Sequence, residues 1–120
     1  MKNLEPADLS DRLMNLATHV VNTTGSIDNS LAGRHVSMQI IRSITSAGAN
    51  YEEACATESQ NDFIHKPQLV LKELRESLYW LRLIGKLEMA QETRITTLLS
   101  EASEISNIVA KSIITAKSRT

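Results

Sequence analysis

Apolar residues recur at three- and four-residue steps in four separate runs of this chain, a pattern that leaves little room for anything but a helical fold. The first run is Leu9, Leu13, Leu16, Ala17, Val20 and Val21, and it stops at Thr23-Thr24-Gly25-Ser26. The second sets Val36, Ile40, Ile44, Ala47, Tyr51 and Ala54 on one face, and Asp28, Asn29 or Ser30 can cap its start by accepting free backbone N–H groups. The third carries Phe63, Val70, Leu71, Leu74, Leu78 and Leu81 and ends near Gly85, with Ser59-Gln60-Asn61-Asp62 reading as a capping box. The fourth uses Ile95, Leu98, Leu99, Ala102, Ile105, Val109, Ile113 and Ala116.

These runs predict one domain over residues 1–120, with helices near 8–24, 30–55, 59–86 and 89–117. Short connections force neighbouring helices to run antiparallel, so the expected fold is all-α: an up-down-up-down antiparallel four-helix bundle. Pro67 is the misfit. A proline two turns inside a helix removes a backbone hydrogen bond and clashes with the preceding turn. The third helix should therefore kink near 67, the alternative being a separate short helix over 59–66.

Composition narrows the setting. A chain that is 42% hydrophobic and 22% charged is not disordered, and two prolines with four glycines are too few for a strand-and-turn design. Tyr51, Phe63, Tyr79 and Trp80 are the only aromatics, so the core must be mostly aliphatic. A single cysteine, Cys55, has no internal disulfide partner, and beside Ala54 it reads as a packed small hydrophobe. The first residues show no signal peptide, and no run approaches the roughly 20 apolar residues of a membrane span. A cytoplasmic location is the expectation. The net charge is −1, with four Lys/Arg against seven Asp/Glu in residues 1–60 and nine against seven in residues 61–120.

The third run is apolar on more than one side. Besides its core stripe it presents Leu69, Trp80, Leu83, Ile84 and Leu87, with Glu73 and Glu76 interspersed. A bundle helix needs one broad stripe, so this second band is read as an oligomer interface, against the plainer reading of a wide contact with two neighbouring helices. Gln68, Lys72, Arg75, Tyr79, Arg82 and Lys86 form a further row. Four cations around a tyrosine suit phosphates and a stacked base, although such a row is usually a solvated face. On the second run, Gln39, Arg42, Ser43, Ser46, Asn50 and Glu53 share a polar strip beside the small residues Ala47, Gly48 and Ala49. Small residues permit close helix approach. Within that strip Gln39, Arg42, Ser46, Asn50 and Glu53 suit a polar network more than a catalytic site.

Chemistry-bearing motifs are sparse. Asp62-Phe63-Ile64-His65 is a single Asp-x-x-His that turns away from the core, whereas a two-metal bundle needs ligands from several helices. His19 and His35 sit on separate runs, and neither a phosphate loop nor a nucleophile elbow is present. An enzyme would need a pocket converging on Asn50, Glu53 and His65. Neither metal nor cofactor is expected, and catalysis is not.

The stretch Arg42-Ser43-Ile44-Thr45-Ser46-Ala47-Gly48-Ala49-Asn50-Tyr51-Glu52-Glu53-Ala54 is followed by Ser59, by Asp62-Phe63-Ile64-His65-Lys66 and by Lys72-Glu73-Leu74-Arg75-Glu76-Ser77-Leu78-Tyr79-Trp80-Leu81. In this order they resemble the bacterial four-helix-bundle protein family, over roughly residues 10–116. That family includes the proteins encoded in intervening sequences of large-subunit ribosomal RNA genes. The accessory variability determinant proteins of diversity-generating retroelements are its relatives. The resemblance implies an up-and-down bundle and a ring-shaped homopentamer. The retroelement relatives are strongly basic and bind nucleic acid and a reverse transcriptase; this chain departs from them in its near-neutral charge, and from the family in Pro67. The leading expectation is thus a non-catalytic homo-oligomeric scaffold. The alternative is an accessory protein that binds RNA or DNA through Lys72, Arg75, Tyr79, Arg82 and Lys86.

Overall fold

The computed structural model describes residues 6–56 and 60–118, with side chains over 8–56 and 65–118. Four helices make it up: α1 (Pro6–Thr24), α2 (Leu31–Ala56), α3 (Gln60–Lys86) and α4 (Glu92–Ser118). Around the bundle α1 packs on α2, α2 on α3, α3 on α4 and α4 back on α1, while the diagonal pairs stay apart. Ser43 meets Ser77 and Glu53 meets Lys66, so rising numbers on α2 face falling numbers on α3. The neighbours are antiparallel, and the expected four-helix bundle is what the chain forms.

Local chemistry sets the helix ends. The Ser30 hydroxyl accepts from the Gly33 N–H at 3.0 Å and is the cap of α2. Asp28 turns the chain into that cap by accepting from the Ser30 N–H at 3.2 Å. A bond from the Ser30 side chain, and after it this one from the Ser30 N–H, hold the Asp28 carboxyl below its ordinary pKa, because both favour the charged form. Gly33 is required there, since a Cβ would lie 2.3 Å from the Asp28 carbonyl oxygen. α3 ends on Glu88 at φ 56, with Met89 N–H bonded to the Ile84 carbonyl at 3.0 Å and Glu88 N–H to that of Gly85 at 3.1 Å. This is a Schellman turn, in which glycine usually takes the left-handed place. The Ser59 cap lies outside the described residues, as do the side chains of Asp62 and Phe63.

The core follows the periodicity closely. Leu9, Leu13, Leu16, Val20, Val36, Ile40, Ile44, Val70, Leu74, Leu81, Ile95, Leu98, Ile105, Val109 and Ile113 form one buried cluster. Each such side chain contributes roughly 1.5–3 kcal/mol relative to leaving it in water. Three placements need correction. Val21 is 40% exposed, because it turns past the flank of α1 rather than into the core. Ile84 is only 1% exposed and completes the α3 core stripe, so it has no surface left for a sister subunit. Cys55 is exposed, not packed. α3 runs through the buried Pro67 as one helix, so no separate short helix precedes it.

Candidate interaction surface on helices 2 and 3

Ser43 and Ser77 share a 2.7 Å hydroxyl contact at the heart of the α2/α3 seam, and both are fully buried. Each also bonds back to its own helix, Ser43 to the Ile40 carbonyl and Ser77 to that of Glu73, so neither hydroxyl is left wanting. Two such small residues bring the helices close.

That closeness builds a polar ladder one layer further out. Arg42 lies between Glu73 and Glu76 of α3, with Nη1 at 3.3 Å from the Glu73 carboxylate and Nη2 donating to that of Glu76. Gln39 Oε1 accepts from Arg42 Nε at 3.4 Å, and Trp80 Nε1 donates to Glu76 at 3.0 Å. Of the expected network Gln39 and Arg42 thus belong together, and their partners are the two glutamates that interrupt the second band. The other three members do not join it. Asn50 donates to the Ser46 backbone carbonyl at 2.9 Å, Ser46 enters only through that carbonyl, and Glu53 pairs with Lys66 at 2.8 Å.

Trp80 is half-buried, and its ring meets His35 edge-on at 5.8 Å and Tyr79 at 5.0 Å. Leu69 and Leu83 are also half-buried, and Leu83 packs on the core beside Trp80. The second band is thus part core contact and part surface. Leu87 is 50% exposed, and from α2 Leu31 and Met38 add two side chains that are 79% and 70% exposed. By the antiparallel register Met38 lies one turn beyond Arg42, at the level of Trp80. The apolar surface therefore spans both helices. Leu31 and Met38 escaped the sequence reading; their seven-residue spacing around His35 was the available signal.

The α3 row is where the periodicity put it. Lys72, Arg75, Tyr79, Arg82 and Lys86 are all exposed, and among the described residues no carboxylate lies within 4.0 Å of the four cations.

Concavities lie elsewhere. A groove of about 600 Å³ is lined by Arg82, Lys86, Glu88, Glu92 and Ile95, and one of about 410 Å³ by His19, Asn22, Arg94 and Thr97. Both sit at the bundle end that holds the α3/α4 turn, away from Asn50, Glu53 and the exposed His65. No group of three metal-ligating side chains occurs among the described residues. Burial, with a hydrogen bond to Cys55, pushes the Tyr51 phenol above its ordinary pKa, so it stays neutral and packed. No described helix is long and apolar enough to cross a membrane.

The family model described as "23S rRNA-intervening sequence protein" matches residues 6–111. A crystal structure of a protein of unknown function from Bacteroides thetaiotaomicron, assigned to the S23 ribosomal protein family, is similar at a TM-score of 0.81. Its sequence is 32% identical, over 88% of this chain and 97% of that one. No curated protein matches. Neither description names a reaction.

Proposed function

We propose that this chain, which belongs to the 23S rRNA-intervening sequence protein family, is a non-catalytic scaffold that assembles with copies of itself through the outer face of α2 and α3. One observation carries the reading. Leu31, Met38 and Leu87 expose half or more of their surface around a half-buried Trp80 and Leu83, on one side of the bundle. Apolar side chains left exposed together on one side of a domain favour docking there, and tryptophan is favoured at the centre of such sites. The ring of five that the family resemblance implies sets the expected size. Light scattering should then give about 66 kDa, five times the 13.3 kDa chain. The double variant Met38→Glu with Leu87→Glu, changing two exposed residues, should give the monomer mass with unchanged helicity. A monomeric parent protein at micromolar concentration, or an unmoved mass in the variant, refutes the proposal.

A second reading rests on the unpaired row of α3. Lys72, Arg75, Arg82 and Lys86, without a carboxylate partner among the described residues, and the 55% exposed Tyr79 present four cations and a ring for stacking. Several copies in one assembly would multiply a weak contact. Titrating a structured RNA should then show affinity falling with salt at a log–log slope of roughly 3 for four phosphate contacts. Absence of binding at low salt, or binding indifferent to salt, removes this reading.

A further inference from the structure

The groove between α3 and α4, beside the turn that joins them, takes Arg82 and Lys86 into a concave site. Its floor is aliphatic: Ile95 is 4% exposed, and Ala90 and Leu99 are half-buried beside it. Gly85 keeps it open. A Cβ there would stand 3.3 Å from Ile95 Cγ2, so the glycine lets α3 settle close on α4 and puts no side chain across the space. The volume, about 600 Å³, falls within the roughly 300–1,000 Å³ of small-molecule sites.

The charges of the groove are sorted by sign. Contact of Gly85 with Ile95 across antiparallel helices sets Glu88 level with Glu92 at the turn, and Arg82 level with Leu98 further along the bundle. Lys86 stands one turn from Arg82 on the same helix. All four charged side chains are exposed. Among the described residues none of them has an opposite charge within 4.0 Å, although both signs line one groove. Glu88 adds an independent observation. It is the only described residue at positive φ, a place where glycine would be free of strain. A carboxylate is kept there against the backbone preference, and strained positions gather where a side chain is used.

We infer that this groove binds a small zwitterion with an aliphatic body, a peptide of about three residues with free ends. Its carboxylate meets Arg82 and Lys86, its ammonium meets Glu88 and Glu92, and its apolar side chains lie on Ile95 and Leu99. Length follows from the register. Six positions of α3 separate Arg82 from Glu88, roughly 9 Å at the helical rise, and an extended peptide covers about 3.4 Å per residue. A lone anion would share the groove with two carboxylates, and a lone cation with Arg82 and Lys86. Only a ligand of both signs satisfies both ends.

Titration with alanyl-leucyl-alanine, followed by amide NMR and calorimetry, tests this. The peptide should shift the amides of Gly85, Ile95 and Leu99 saturably. Its N-acetylated and its C-amidated forms should each bind about threefold more weakly or worse, the size expected of partly solvated charge pairs. Exposed charges can be changed without endangering the core. Arg82→Gln with Lys86→Gln should bind free and amidated peptide alike while still discriminating against the acetylated one. Glu88→Gln with Glu92→Gln should show the reverse. Glu88→Gly should weaken binding while melting no lower than the parent, which separates the site from the stability of the turn. The proposal is overturned by the absence of a saturable shift at millimolar peptide, by equal affinity for the three forms, or by discrimination that survives the substitutions. A structured RNA that moves these amides when the peptide does not also overturns it, because RNA brings no cation to the two glutamates.

Discussion

The α2/α3 and α1/α4 seams are both crossed by an arginine held between two glutamates, yet they are built differently. On α1/α4 the clamp is Arg12, bidentate to Glu101 at 2.7 and 3.1 Å with Glu104 at 3.1 Å. Its partners, the hydrogen bond to Glu101 first, raise the pKa of a guanidinium that already keeps its proton throughout the working range. On α2/α3 the Arg42 clamp overlies a buried serine pair and carries an indole on its outer side. One seam is closed by charge at its rim, the other by close backbone approach underneath. A rim clamp in water is worth little, whereas a buried small-residue contact sets the spacing of two helices and hence the surface above them.

The largest effect that sharpens this contrast lies between neighbouring residues of α3. Ile84→Asp should cost about 4 kcal/mol or more and unfold the bundle in urea, by burying an unpaired carboxylate. Leu87→Asp, half exposed, should stay within about 1 kcal/mol of the parent. Next is a comparison of the seams themselves. Ser77→Leu should cost about 2–3 kcal/mol by forcing α2 from α3. Glu101→Leu should cost under about 1 kcal/mol, because Arg12 keeps Glu104 and the pair is partly solvated. Equal costs in denaturant would break the contrast between the two seams.

Smaller changes belong to the turns at the same end of the bundle. Glu88→Gly should stabilise by about 1 kcal/mol, since φ 56 is strained for any residue with a Cβ; a melting temperature that fails to rise refutes this account of the turn. Least of all is Asp28. Its depressed pKa stabilises the fold at pH values above the ordinary carboxylate pKa, and that stabilisation fades as pH falls through the lower folded value. The carboxyl carbon of Asp28 should titrate by NMR below the usual range, and Ser30→Ala, which removes the side-chain bond and keeps the N–H, should return it most of the way.

The candidate surface shows how far periodicity reaches. Gln39 and Arg42 were legible as a polar strip beside the core stripe of α2, and Glu73 and Glu76 as the glutamates within the second band of α3, but only the packing of α2 on α3 makes the two stripes meet. Asn50 and Glu53 shared the strip but found partners nearer at hand, a carbonyl four residues back and Lys66. The angle of a residue on its helix gives its direction and not the competitor that reaches it first. Leu31 and Met38 lie outside the core stripe of α2, and only the position of α3 beside them makes one surface of scattered side chains.

The sequence alone determined the number of helices, the core stripe of each and the antiparallel order, because these follow from a 3.6-residue period and short turns, both local properties of the chain. What only the tertiary structure decided was the fate of residues at the edges of the stripes. Val21 emerged, Ile84 sank and Gly48 was left facing empty space. A residue at the margin of a helix face is covered or bare according to where the neighbouring helix settles. The width of that margin is set by packing between side chains distant in sequence, which no single helix's pattern contains.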